Sequence, residues 1–168
     1  MATRKTNQKN SLEKYTGNKV TVCIVVSQWH KDITDALIEG AFIQFEKAGA
    51  DKFEITLLNV PGSYELPLGA QWAINSYTPD AVICLGCIIK GETPHFNYIS
   101  KAVADGIMQL NLKYNIPVIF GVLTTNTVKQ AKQRSGGKHG NKGSDAAIAA
   151  IEMVELSNKL KKEYAAKS

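Results

Sequence analysis

Apolar positions fall along the chain in two alternating rhythms. Residues 19–27 (KVTVCIVVS), 53–60 (FEITLLNV), 81–89 (AVICLGCII) and 118–123 (VIFGVL) are short runs rich in β-branched side chains. Such runs predict buried strands. Between them apolar residues recur at helical spacing, as Ile33, Ala36, Leu37, Ala41 and Phe45 do within 32–48, before Gly49 stops the pattern. Pro61-Gly62 turns into a second predicted helix over 64–76, and Pro94 opens a third over 94–113. A short helix over 127–134 and a long closing helix over 144–164 flank a glycine-rich loop at 135–143. Residues 1–17 are polar and aperiodic and predict a loose tail. No internal repeat or second domain interrupts the series.

Strand and helix alternate throughout, which predicts βαβ units and an α/β fold: a parallel sheet covered by helices on both faces. Ligands of such sheets collect at the carboxyl ends of the strands. The chemistry is therefore expected around 27–29, 60–65, 89–95 and 123–127.

Composition narrows the class. With 168 residues, 44% hydrophobic and 21% charged, the chain fits one globular domain and not a disordered, collagenous or disulfide-scaffold protein. No run nears the ~18 apolar residues of a membrane span, and the start lacks a signal-peptide stretch. Three cysteines make no oxidised framework, so a cytoplasmic setting is expected. The net charge of +5 sits in the ends: the first 19 residues and the last ten are basic, and the body between them is slightly acidic. From Gly106 to Ser144 there is no Asp or Glu, yet Lys113, Lys129, Lys132, Arg134, Lys138 and Lys142 all fall there. That stretch should attract an anion. Without interleaved aromatics it fits a small phosphate-bearing ligand better than a polynucleotide.

Cys84 and Cys87 spell C-x-x-C, but both lie in a predicted strand, where residues three apart face opposite sides and cannot share a metal. The glycines at 136, 137, 140 and 143 match no phosphate-loop template, and a flexible loop explains them equally well. Gly91-Glu92-Thr93-Pro94-His95 opens a helix at the ligand edge, where free backbone N–H groups favour an anion. The helix dipole should keep His95 neutral there, fit for proton transfer; a capping histidine is the alternative. Trp29 either covers the sheet edge or offers a flat face to a planar ring. Ser63, Tyr64 and Glu65 follow a turn on the same edge, and Arg134, the only arginine beyond the first residues, suits a bidentate phosphate contact.

The stretches VVSQWHKDITDALIEGA, NVPGSYELPLGA, CLGCIIKGETPHFNYIS, PVIFGVLTTNTVKQAKQRSG and GNKGSDAAIAAIEM closely resemble the 6,7-dimethyl-8-ribityllumazine synthase family, in the family's order and over about 20–157. The resemblance implies a flavodoxin-like three-layer α/β/α sandwich with a central four-stranded parallel sheet. It places the domain at 19–158, between a basic N-terminal tail (1–18) and a basic C-terminal end (159–168). It implies a transferase of riboflavin biosynthesis that joins 5-amino-6-(D-ribitylamino)uracil to 3,4-dihydroxy-2-butanone 4-phosphate. Neither metal nor redox cofactor is expected.

Carried over residue by residue, the resemblance gives Trp29 the pyrimidine stack and Ser63, Tyr64 and Glu65 the ribityl side. Cys87, Ile88 and Ile89 match the strand end whose backbone meets the uracil. Glu92 and Thr93 match the turn that binds the butanone phosphate, joined by Arg134 and Lys142. His95 matches the proton-transfer residue, and Phe120 the aromatic supplied by a neighbouring subunit. A homo-oligomer is implied: a pentamer, and in an icosahedral shell sixty subunits, with riboflavin synthase as an associated partner and neither nucleic acid nor membrane. Asn97, Gln133 and Lys90 depart from the commoner acidic, Glu and Arg choices, which bears on the charge around His95 and Arg134. A non-catalytic lumazine or flavin carrier of the same fold is the competing expectation. It would keep Trp29 and abandon His95 or Arg134, and both are present.

Overall fold

The computed structural model describes residues 14–167. Strands β1 (Val20–Ser27), β2 (Phe53–Val60), β3 (Ala81–Ile89) and β4 (Val118–Thr125) form one parallel sheet in the order β2-β1-β3-β4. Helices α1 (Lys31–Gly49), α2 (Leu66–Tyr77) and α3 (His95–Tyr114) connect them in turn. After β4 come α4 (Val128–Arg134), a small antiparallel hairpin of β5 (Ser135–Gly137) and β6 (Gly140–Asn141), and α5 (Lys142–Ala165).

The period-2 geometry of the strands divides the core. Val20, Val22, Ile24 and Val26 of β1, with Ala81, Ile83, Leu85 and Cys87 of β3, pack against α1 and α5. Cys23 and Val25, with Val82, Cys84 and Ile88, pack against α2 and α3. α1 contributes Ile33, Leu37, Ala41 and Phe45 at four-residue spacing, and α3 contributes Val103, Ile107 and Leu110. The result is the flavodoxin-like three-layer sandwich. Cys84 and Cys87 sit on opposite faces, so the C-x-x-C spells no joint site.

The chain steps outward from β1 to β2 and then returns past β1 to β3. That reversal puts α1 and α2 on opposite faces and opens a crevice beside the ends of β1 and β3. In register, Ser27 pairs with Val60 and Ile89 with Thr125, so the carboxyl ends of all four strands share one edge.

Several boundaries move for local reasons. α3 begins at His95 and not Pro94, whose carbonyl accepts the Asn97 N–H at 2.9 Å as the helix N-cap. Residues 63–65 form a 3₁₀ turn ahead of α2. β4 runs on to Thr125 because it pairs with all of β3 down to Ile89. The glycine-rich stretch is the β5–β6 hairpin, made possible by left-handed Gly136 (φ 122°) and Gly140 (φ 78°). Of the stretch expected as a tail, residues 1–13 lie outside the described residues. Tyr15 is packed, with its ring 5.3 Å from that of Phe53 and its N–H bonded to the Ala48 carbonyl at 2.9 Å. A lone aromatic in a polar stretch carries no periodicity to announce that contact. At the other end α5 continues through the basic residues to Ala165, and Ser168 lies outside the described residues.

Candidate active site

A cavity of about 460 Å³ opens at the carboxyl edge, over the crevice between β1 and β3. Trp29 enters it from the end of β1, Ser63, Tyr64 and Glu65 from the turn after β2, and Cys87, Ile88 and Ile89 from β3. Thr93 and His95 close it from the start of α3. Nine of the expected site residues, from four separate stretches of chain, thus meet in one place.

The indole of Trp29 is 70% exposed, so it is no cover for the sheet edge. It is held outward because His30 takes the left-handed conformation (φ 57°, ψ 51°) and caps α1, its carbonyl accepting the N–H groups of Ile33 (2.8 Å) and Thr34 (3.0 Å). That conformation is uncommon for a residue with a Cβ and tends to persist where a site demands it. The turn opposite is tied down from beneath. The Ser63 hydroxyl donates to that of buried Ser27 at 3.4 Å. Gly86 lies under the same turn, where an added Cβ would stand 2.7 Å from Ser63 Oγ and 2.9 Å from Leu66 Cδ1. A glycine inside a strand is the sequence trace of such an approach.

His95 sits exposed at the first position of α3, where backbone N–H groups have no intrahelical acceptor. Cys87 lines the cavity as a buried thiol, pushed up to about 11 by burial first and by the Asp32 charge second. It stays protonated near neutral pH and is no nucleophile. The carboxyl of Asp32 is held below its ordinary range chiefly by hydrogen bonding to Lys132, 3.1 Å away, which ties the start of α1 to α4.

The remaining expected residues lie elsewhere. Glu92 is exposed in the loop before α3 and is not part of the cavity wall. Phe120 lies on β4, 40% exposed, in register with Cys84 and away from the cavity. Lys142 opens α5 and pairs with Asp145 at 2.8 Å. Arg134 ends α4 and lines a different, polar cavity of about 270 Å³ with Thr124, Gln130, Gln133 and His139. No carboxylate pairs with Arg134 among the described residues.

His30, Pro61, Gly62, Gly91, Phe96 and Ile99 also line the larger cavity; Pro61, Gly62 and Gly91 belong to the turns expected at the ligand edge, whereas sequence reasoning assigns no site role to His30, Phe96 and Ile99. Phe96 and Ile99 had a signal, an i, i+3 apolar pair at a helix start, and they rest against the core on the α2/α3 side. His30 had none, since its backbone conformation carries its role. Among the described residues no group of three or more His, Cys, Asp or Glu could hold a metal, and no helix is long and apolar enough to cross a membrane.

Fold and site define a doubly wound α/β protein with a cavity at its topological switch point, lined by an exposed tryptophan, a polar turn and a histidine. The comparisons make this specific. The sequence profile of 6,7-dimethyl-8-ribityllumazine synthase matches residues 19–158. A protein of that name from Cytophaga hutchinsonii is 56% identical over 117 residues, covering 70% of this chain and 74% of the relative. Those from Parabacteroides distasonis (48% over 140 residues, 83% and 88% covered) and Campylobacter hominis (46% over 143 residues, 85% and 92% covered) extend the match. The chain belongs to the 6,7-dimethyl-8-ribityllumazine synthase family.

Proposed function

We propose that the cavity at the carboxyl edge is where this transferase condenses 5-amino-6-(D-ribitylamino)uracil with 3,4-dihydroxy-2-butanone 4-phosphate to 6,7-dimethyl-8-ribityllumazine. The reaction is the penultimate step of riboflavin biosynthesis. The observation that carries the reading is the meeting of exposed Trp29, the Ser63–Glu65 turn and His95 around one space of substrate size. Trp29 stacks on the pyrimidine, and the end of β3 with the Ser63–Glu65 turn receives the uracil edge and the ribityl chain. The 5-amino group adds to the ketone and water leaves as the imine forms. Phosphate then departs as a proton is lost from carbon, tautomerisation exposes a carbonyl, and the ribityl-bearing nitrogen closes the ring with loss of a second water.

His95 is the group placed to move protons between these atoms. General acid–base help of this kind is worth about 10²–10⁴-fold, whereas holding amine against ketone supplies roughly 7–11 kcal/mol. Positioning therefore outweighs proton transfer.

Arg134 and Phe120 stand outside the cavity of their own chain. We infer that a second copy brings them to it, Arg134 to the phosphate beside Thr93 and Glu92, and Phe120 to the open wall. Exposed apolar side chains such as Trp72 (62%) and Leu112 (78%) support association. A pentamer, built further into a sixty-subunit shell in the cytoplasm and accompanied by riboflavin synthase, is the assembly this reading favours.

The test is a two-substrate assay on purified protein, each substrate omitted in turn. Coloured, fluorescent lumazine and free phosphate appearing together, faster than in the protein-free mixture, support the synthase. A folded assembly that gives only the background rate overturns it in favour of a ligand-binding relative.

A further inference from the structure

The cavity beside Arg134 has a second basic side chain that the reading so far leaves idle. His139 stands at the tip of the β5–β6 hairpin and shares the cavity wall with Arg134. Its place is fixed by the backbone: its N–H donates to the Gln133 carbonyl at 2.8 Å, and left-handed Gly136 and Gly140 set the turn on either side. The far end of the hairpin is anchored too. Asn141 Nδ2 donates to the Ala36 carbonyl at 2.7 Å, while its Oδ1 accepts from Gly143 N–H at 2.8 Å.

The wall around these two residues is rich in donors. Gln130 has its amide oxygen engaged by the Asn126 N–H at 2.8 Å, and no protein acceptor takes its NH₂ group among the described residues. Among the described residues no carboxylate lines the cavity, and none occurs in the sequence between Gly106 and Ser144. A phosphate monoester carries about −1.5 to −2 charge near neutral pH, more than one guanidinium neutralises. An imidazole donates at least one N–H in either protonation state, so His139 can bond a phosphate oxygen without first being charged.

We propose that His139 is a second phosphate-binding side chain of this site, donating to the phosphate of the four-carbon substrate alongside Arg134. The proposal rests on the reading that Arg134 takes that phosphate. It gives the glycine-rich hairpin a purpose: a stiff turn that presents an imidazole to an anion.

The experiment uses the purified full-length assembly and the variants His139→Ala, His139→Lys and Arg134→Ala. It reads KM for each substrate separately, and inhibition and calorimetric binding of inorganic phosphate. His139→Ala keeps the backbone N–H to Gln133, so the turn itself survives. It should raise KM for the butanone phosphate, and weaken inorganic phosphate, by about 2- to 12-fold, the worth of one hydrogen bond. KM for the aminouracil should not change, and His139→Lys, which keeps a donor, should recover most of the loss.

Unchanged phosphate constants in His139→Ala would overturn the proposal. So would an equal rise in both KM values, or a lysine variant no better than alanine. A wild-type assembly inert in the two-substrate assay would instead defeat the synthase reading, and phosphate calorimetry would still judge His139. If Arg134→Ala left the phosphate constants untouched, the assignment of Arg134 would fall by itself.

Discussion

At the scale of single residues, chemistry was easiest to read where one side chain type stood alone in its surroundings. Arg134 stands out as a single arginine in a stretch free of acids, and among the described residues no carboxylate pairs with it. Trp29 was ambiguous until its exposure showed a presented face and no buried plug. That His30 and His139 line cavities is illegible in the sequence, because nothing in the local pattern tells which way a loop side chain turns. For His95 the expected outcome of substitution follows from the division of labour. His95→Ala should lower kcat by about 10²–10⁴-fold and leave a measurable rate, since alignment of amine and ketone survives. Steady-state kinetics on a variant with wild-type assembly size checks this. Complete loss of turnover would show that His95 does more than shuttle protons.

At the scale of elements, the strands and long helices were legible within a few residues because their burial repeats at period 2 or 3.6. The exceptions are contacts between elements far apart in sequence. Gly143 is the clearest: an added Cβ would lie 1.8 Å from the Leu37 carbonyl oxygen, so α5 starts directly against the backbone of α1. Ser144 Oγ donates to the Gly40 carbonyl at 2.8 Å across the same seam. Gly143→Ala should therefore destabilise the fold by more than the ~1–3 kcal/mol of ordinary overpacking, because backbone and not a flexible side chain blocks it. Urea denaturation reads this directly, and a wild-type midpoint would refute the seam.

The strands also make a prediction about pH. Burial pushes the Cys84 thiol up to about 12 and Cys87 to about 11, and raises Cys23 from its ordinary value. For an acid whose folded value is raised, the stabilisation is full below the unfolded value near 9 and is lost as pH rises toward the folded values. Urea midpoints should accordingly fall between pH 8 and about pH 10.5, and fall less steeply in Cys84→Ala. Parallel slopes for the two proteins would show that buried thiols do not govern the alkaline limb. Tyr15, raised chiefly by burial, adds to the fall in both proteins.

At the scale of the whole molecule, the two cavities tell the most. One holds a flat aromatic, a polar turn and a histidine; the other holds the arginine, a second histidine and amides. The motifs pick out candidate residues, and the resemblance already assigns Phe120 to a neighbouring subunit, but no pattern in one sequence tells that Arg134 lines a cavity of its own. Separation is a property of the folded chain, and joining the two cavities is what the proposed assembly would add. The most direct measurement is co-expression of His95→Ala chains with Arg134→Ala chains, assayed with the four-carbon substrate well below the KM of Arg134→Ala so that each parent alone is slow. If every site takes its cavity from one copy and its arginine from another, random mixing regenerates about a quarter of the sites. The mixed assembly should then show lumazine synthesis near a quarter of the wild-type rate, well above the mean of the two parents. Activity no higher than that mean would place cavity and arginine in the same chain and contradict the account.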